Sequence, residues 1–97
     1  MVIWSGPAKS DLRAIFDFIA QNSKFYAKKV LHEIVERAEV LETLPRSGRI
    51  VQELSNPDIR EIGVYSYRII YEIRNVDTFI LAVVHRRREI QSDSIFR

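Results

Sequence analysis

The sequence predicts an α+β fold in which a short N-terminal strand and an antiparallel helical hairpin precede a C-terminal antiparallel β-sheet. Two observations predict it. Apolar residues recur at helical spacing through residues 12–44, whereas apolar and β-branched runs separated by short polar links fill residues 59–86. A chain of 97 residues suits one domain with a thin core, so we expect residues 1–97 to form a single domain.

The first half of the chain is predicted to contain one strand and two helices. Residues 2–4 are apolar and precede Pro7, which suits the first turn of a helix. The second helix is expected to end near residue 44, because Pro45 cannot continue it. A short link makes the two helices antiparallel neighbours. Their buried stripes comprise Leu12, Ile15, Phe16 and Ile19 in the first helix and Ala27, Val30, Leu31, Ile34, Ala38 and Leu41 in the second.

The second half of the chain is predicted to be mostly strand. After a turn at residues 45–49, residues 50–54 are expected to start one strand. The links between the later strands are short enough for hairpins. The tail after Arg88 is expected to be short and frayed, because Ile90, Ile95 and Phe96 have no evident partner surface. The three main strands are expected at residues 59–64, 67–74 and 78–86.

The middle strand is predicted to leave Arg68 on an open face of the sheet. The facing of residues 59–64 stays undecided, because Ile59 and Ile62 have opposite parity and a bulge at Arg60-Glu61 would change which side is exposed. Alternation gives the opposite, helix-facing side of the middle strand to Tyr67, Ile69, Tyr71 and Ile73.

Arginine is concentrated in the second half of the chain. Residues 45–97 carry nine basic side chains, all of them arginine, and the last lysine is Lys29. Guanidinium groups stay charged at physiological pH and bind phosphate or carboxylate oxygens through two parallel hydrogen bonds. We therefore expect a binding face for nucleic acid or for an acidic protein segment. Its candidate residues are Arg49, Arg60, Arg68, Arg86, Arg87 and Arg88.

The composition removes several classes of function. The chain has no cysteine, which excludes disulfides, zinc knuckles and thiol nucleophiles. His32 and His85 alone do not make a metal site. The longest apolar run, residues 79–84, is far shorter than the ~20 residues of a membrane-spanning helix. We expect a soluble cytoplasmic protein with no metal, no cofactor and no membrane partner.

Four short motifs together resemble a known family. They are Leu44-Pro45-x-x-Gly48-Arg49, Arg60-Glu61, Tyr67-Arg68-Ile69-Ile70-Tyr71 and His85-Arg86-Arg87-Arg88. In this order, after a β-α-α arrangement, they resemble the RelE/ParE superfamily of type II toxin-antitoxin toxins. The resemblance implies a growth-arresting, plasmid-stabilising toxin that forms a hetero-oligomer with a cognate antitoxin. It also implies one of two targets, DNA gyrase for ParE-like members or the ribosome and its mRNA for RelE-like members.

The residues favour the ParE-like alternative and leave enzymatic activity undecided. RNA cleavage needs a general base, a general acid and positive charge over the phosphate, and arginine supplies only the last. The final strand is followed by neither a lysine nor a tyrosine that could carry protons. Inhibition of gyrase requires only a binding face. A third alternative is a non-toxic module that binds nucleic acid or protein.

A RelE-like endonuclease would need a specific catalytic set. Glu53 or His85 would be the base and His85 the acid, while arginines would hold the phosphate. The candidate set for that activity is Glu53, Arg60, Arg68, His85 and Arg87.

Overall fold

The computed structural model describes residues 1–96 and has the predicted α+β architecture, with an N-terminal strand, a helical hairpin and a sheet. The strands lie in the order β1-β5-β4-β3-β2. The sheet is mixed, because β1 runs parallel to β5 while every other neighbouring pair is antiparallel. The elements are β1 (Val2–Trp4), α1 (Gly6–Ala20), α2 (Lys24–Glu39), a 3₁₀ turn (Val40–Glu42), β2 (Arg49–Ile50), β3 (Ile59–Val64), β4 (Tyr67–Arg74), β5 (Asp77–His85) and α3 (Ser92–Ile95).

Serine side chains cap the two long helices. The Ser5 hydroxyl accepts a hydrogen bond from the Ala8 amide at 3.1 Å, and the Ser23 hydroxyl accepts one from the Tyr26 amide at 3.0 Å. Each cap satisfies an amide that has no partner within its helix. Helix α2 ends at Glu39 and continues as the 3₁₀ turn, earlier than the predicted end near residue 44.

The predicted hairpins are confirmed, with small shifts in their bounds. Tyr65 and Ser66 link β3 to β4, and Tyr65 has a positive φ of 54°. Arg74 pairs with Asp77, so the next link is only two residues long and β5 begins one residue earlier than predicted. The strand predicted at residues 50–54 is reduced to β2, which pairs with β3 through two residues.

The bulge considered for β3 lies in β5 instead. All six residues of β3 pair in continuous register with β4. In β5, Ile80 pairs with Tyr71 and Ala82 pairs with Ile70, which leaves Leu81 as the extra residue. As a result, Leu81 and Ala82 both pack on the side of the sheet away from α1 and α2.

Both faces of the sheet are covered, which corrects the prediction of an open face and a frayed tail. Helices α1 and α2 pack on one face, which is called the helix face below. Ile90 and Ile95 are each 2% exposed and pack on the other, which is called the outer face. Strands β3, β4 and β5 present apolar side chains there, and burying those side chains is favourable. Phe96 is 48% exposed, and Arg97, the last residue of the predicted tail, lies outside the described residues. The outer-face core contains Val51, Ile59, Ile70, Leu81, Ala82, Val84, Ile90 and Ile95.

No helix within residues 1–96 is both long enough and apolar enough to cross a membrane.

Candidate functional site

Arg68 lies on the outer face, as alternation predicts, but it is buried rather than open. Only 8% of the Arg68 surface is exposed to solvent. Its Nη2 lies 2.6 Å from a Glu53 carboxylate oxygen, its Nη1 lies 2.7 Å from Glu61, and Nη2 also donates to the Arg88 carbonyl. Burial alone would lower the pKa of Arg68, but the hydrogen bonds and charges of the two carboxylates raise it above its ordinary value. The prediction that Arg68 lies on an open face is therefore wrong, because it is buried and two internal carboxylates bind its guanidinium group. Its part in binding a target or an antitoxin stays a prediction.

Glu53 joins the C-terminal segment to the sheet. The same oxygen that binds Arg68 accepts a hydrogen bond from the Ile90 amide at 3.1 Å. The Arg68 hydrogen bond is the largest influence on Glu53 and, against the opposing effect of burial, lowers its pKa to about 2. A carboxylate with so low a pKa is a weak base at neutral pH. The geometry thus gives Glu53 a structural role, as an ionised carboxylate that holds the C-terminal segment to Arg68.

This ion pair predicts a dependence of stability on pH. The pKa of Glu53 is about 2 in the folded protein and 4.5 when unperturbed, so its stabilising effect is complete above pH 4.5 and is lost as the pH falls towards 2. We expect Glu53→Gln to lower the free energy of unfolding by about 1 to 3 kcal/mol at neutral pH and by much less near pH 2. Urea unfolding followed by circular dichroism across this range measures the difference. A constant difference between the two proteins would contradict the assignment.

Four arginines line a groove of about 460 Å³ at the outer edge of β3, which we call the arginine groove. Arg49 comes from β2, Arg68 from β4, Arg37 from the last turn of α2, and Arg86 from the residues after β5. The short pairing of β2 with β3 stops at Glu61, and this leaves room for the groove beside the rest of β3. Its full lining is Arg37, Ser47, Gly48, Arg49, Glu61, Ile62, Gly63, Arg68 and Arg86.

The carboxylate in the arginine groove neutralises only part of its positive charge. Glu61 is 5% exposed; one of its oxygens accepts hydrogen bonds of 3.1 Å from Nε and Nη2 of Arg49, and the other binds Arg68. Arg37 donates instead to the Gly63 carbonyl at 3.1 Å, and Arg86 donates to the Tyr65 carbonyl. Within residues 1–96, neither of these last two guanidinium groups has an ion pair with a carboxylate.

Gly63 allows Arg86 to lie across β3. A Cβ atom at residue 63 would come within 2.7 Å of the Arg86 Cζ atom, closer than any normal contact. The Gly63 backbone has no positive φ, so its requirement is space and not conformation. Arg37 and Arg86 therefore both lie against Gly63, which makes this residue the centre of the uncompensated charge.

The turn before β2 is fixed to the sheet by Tyr71. The Tyr71 hydroxyl donates to the Pro45 carbonyl at 2.8 Å and accepts from the Gly48 amide at 3.0 Å. Arg60 strengthens the same turn, because its Nη1 donates to the Gly48 carbonyl at 3.0 Å and its Nε donates to the Pro57 carbonyl at 3.1 Å. Arg60 was predicted to bind a target, and the structure places its guanidinium on backbone carbonyls.

The structure does not bring all five residues proposed for RNA cleavage to one place. Glu53 and Arg68 lie on the outer face, whereas the His85 ring packs edge-on against Tyr67, with centroids 6.0 Å apart, on the helix face. The His85 Nδ1 atom accepts a hydrogen bond from the Arg87 amide at 3.2 Å. The side chains of Arg87 and Arg88 are exposed and have no ion pair among the described residues. The structure thus separates the candidate base from the candidate acid.

Sequence reasoning missed Arg37 and the role of Gly63. Arg37 lies on a helix and is separated by 26 residues from the glycine it contacts. Nothing in the spacing of the sequence indicates which strand edge the end of α2 approaches. Among residues 1–96, no group of three or more His, Asp or Glu side chains could hold a metal ion.

Comparison with known proteins identifies the family. The model of the family described as the ParE toxin of type II toxin-antitoxin system, parDE, matches residues 2–90. A solved structure described as the chromosomal ParDE TA system from P. aeruginosa has a similar fold, with a TM-score of 0.71 and 21% identity over 87% of this chain and 92% of that chain. No functionally curated protein matches the sequence. Since the family model covers nearly the whole chain, this protein belongs to the ParE toxin family of type II toxin-antitoxin systems.

Proposed function

We propose that this protein is a toxin that arrests growth by binding and inhibiting DNA gyrase and that a cognate antitoxin neutralises it. The observation that carries the proposal is that Glu53 is ionised and bound to Arg68. The candidate general base is held by Arg68, and its pKa is lowered to about 2. A toxin that acts by binding requires no proton-transfer group, so this arrangement is compatible with inhibition and unfavourable for cleavage.

The RelE-like alternative has less support. It requires a base and an acid on either side of one phosphate, and the two candidates lie on opposite faces of the sheet. Arg68 would have to leave two carboxylates before it could hold a phosphate. Breaking both contacts would leave the buried carboxylates of Glu53 and Glu61 without a partner, which is unfavourable.

The available cationic surface supports a role in recognition. Arg86, Arg87 and Arg88 follow β5 and are exposed. We propose that Arg87 and Arg88 contact the target, because neither guanidinium group forms an ion pair within the described part of the chain. For this protein to inhibit gyrase it would have to be in the cytoplasm, and we include that location in the proposal. We also propose that its toxicity serves to stabilise a plasmid. A non-toxic binding module remains the alternative if neither target responds.

Two reactions run side by side test the target. Purified protein is added to a gyrase supercoiling reaction and to a translating extract. We expect supercoiling to stop and translation to continue. Loss of translation with cleaved mRNA and unimpaired supercoiling would contradict the proposal in favour of the RelE-like alternative.

A pair of variants tests the surface in the same reaction. Arg87→Gln combined with Arg88→Gln removes two exposed charges, and we expect it to weaken inhibition about tenfold or more. Arg13→Gln is the matched control, because Arg13 is an exposed arginine on α1 whose pairing with Asp17 spans 3.9 Å. We expect the control to inhibit like the unaltered protein. Equal inhibition by all three proteins would place the contact surface elsewhere.

A further inference from the structure

Three guanidinium groups of the arginine groove keep hydrogen-bond donors that no other group within residues 1–96 uses. Arg86 donates to a backbone carbonyl through Nε, and its Nη1 and Nη2 atoms have no partner there. Arg37 donates to a backbone carbonyl through Nη2 alone. Arg49 binds Glu61 through Nε and Nη2, which leaves its Nη1 atom without a partner. A guanidinium group has no acceptor, so these donors can be satisfied only by water or by an anion.

The same three side chains converge on one volume instead of lying in a row. Arg37 reaches the groove from α2, Arg49 from β2 and Arg86 from the residues after β5. The Cζ and Nη1 atoms of Arg86 lie 2.7 and 2.9 Å from the point where a Cβ atom of Gly63 would stand. The absence of that side chain therefore lets the Arg86 guanidinium group enter the groove beside Arg37.

The groove keeps two positive charges after its internal ion pairs are counted. Four arginines line it, and Glu61 binds both Arg49 and Arg68. Glu53, which is not part of the lining, binds Arg68 as well. Two carboxylates therefore neutralise two of the four guanidinium groups. A phosphomonoester carries about −1.5 to −2 charges at neutral pH and offers three acceptor oxygens, so it matches this remainder better than a singly charged carboxylate does.

We propose that the arginine groove is a binding site for the terminal phosphate of a phosphomonoester. Arg37 and Arg86 donate to two of its oxygens, and the Arg49 Nη1 atom donates to the third. Guanidinium groups form strong paired hydrogen bonds with phosphate. The groove volume of about 460 Å³ also has room for part of the group that carries the phosphate. This site goes beyond the proposed inhibition of gyrase and does not depend on it.

The lining of the groove selects the phosphate and not the rest of the ligand. Its uncharged members are Ser47, Gly48, Ile62 and Gly63, so none of the lining residues has an aromatic ring on which a base could stack. A continuous nucleic acid offers phosphodiesters of one charge each and binds by pairing successive phosphates with cations. The ligand is therefore a free phosphate ester, such as a mononucleotide, or the 5′-phosphate at the end of a DNA strand.

The first test compares AMP, UMP and adenosine, each titrated into the ¹⁵N-labelled full chain and followed by nuclear magnetic resonance. We expect AMP and UMP to bind with affinities within about twofold of each other and to shift the amide signals of Gly48, Arg49 and Gly63. Adenosine, which lacks the phosphate, should bind at least about tenfold more weakly. Equal binding of adenosine and AMP, or shifts confined to another surface, would overturn the proposal.

Variants locate the site in the same experiment. Arg37→Gln combined with Arg86→Gln should weaken AMP binding about tenfold or more, because it removes both guanidinium groups that lack a carboxylate. Gly63→Ala keeps every charge but displaces the end of the Arg86 side chain, and we expect a loss of about threefold or more. Arg13→Gln on α1 is the control with unchanged affinity. Unweakened binding of AMP by the folded double variant contradicts the assignment of the site.

A last comparison distinguishes the two sources of the phosphate. One short DNA strand is titrated with and without its 5′-phosphate, beside AMP. Tighter binding of the phosphorylated strand than of AMP would support a DNA end, and binding of AMP at least as tight would support a free phosphate ester. If both forms of the strand bound equally and more tightly than AMP, the groove would recognise the nucleic-acid backbone and the proposal would be wrong. None of these titrations contains gyrase, so that outcome would leave the proposed function standing.

Discussion

Replacing Arg68 with alanine is expected to lower the free energy of unfolding by about 3 to 5 kcal/mol. The substitution leaves Glu53 and Glu61 without the guanidinium that lies 2.6 and 2.7 Å from them. It also removes a hydrogen bond to the Arg88 carbonyl, which helps to hold the C-terminal segment on the sheet. Urea unfolding at neutral pH, followed by circular dichroism, measures the loss.

Arg87→Ala is the matched control for this experiment. Arg87 is an exposed arginine in the turn after β5, and its side chain has no ion pair within residues 1–96. We expect its substitution to change the free energy of unfolding by less than about 0.5 kcal/mol. If Arg68→Ala were as stable as Arg87→Ala, the buried ion network would not exist as described.

Ile90→Ala is expected to destabilise the protein by about 2 to 5 kcal/mol. Ile90 is 2% exposed and packs with Ile95 on the outer face, so removal of its side chain leaves a cavity against the sheet. Thermal unfolding compared with that of Val76→Ala measures the effect. Val76 is 90% exposed at the tip of the β4–β5 link, and its substitution should change stability by less than about 0.5 kcal/mol. Equal stability of the two variants would mean that the C-terminal segment does not cover the sheet.

The elements of the fold were predictable because local signals agree with the final structure. Ser5 and Pro7 indicate the start of α1, and the helical spacing of apolar residues identifies both helices. The alternation in β4 correctly separates Tyr71, which is fully buried on the helix face, from Ile70 on the outer face. The parallel pairing of β1 with β5 is a contact between distant parts of the chain, for which the local pattern carries no signal.

The covering of the outer face could not be predicted by the same means. Ile90 and Ile95 are five positions apart, which matches neither helical nor strand spacing, and α3 contains only four residues. Their burial depends on the apolar surface that β4 and β5 provide at a long distance in sequence. For this reason the sequence pattern predicted the correct face for Arg68 but predicted that the residue would be exposed, whereas it is buried.

The candidate site was predictable in composition and not in arrangement. The abundance of arginine predicted a binding face, and Arg49, Arg68 and Arg86 line one groove. Two features of the groove depend on contacts between distant elements. Glu61 neutralises Arg49 and Arg68, and Arg37 reaches the groove from the end of α2. The separation of Glu53 from His85 depends on which face each side chain occupies once both faces are covered.

Arrest by binding, without proton transfer, is tested most directly by inhibition of gyrase supercoiling with Glu53→Gln and His85→Ala combined in one chain. The two changes remove the candidate base Glu53 and the candidate acid His85 and leave the exposed Arg87 and Arg88 in place. If circular dichroism shows that this variant is folded, we predict that it inhibits supercoiling as strongly as the unaltered protein. Loss of inhibition in the folded variant, or absence of inhibition by the unaltered protein together with cleavage of translated mRNA, would contradict that mechanism.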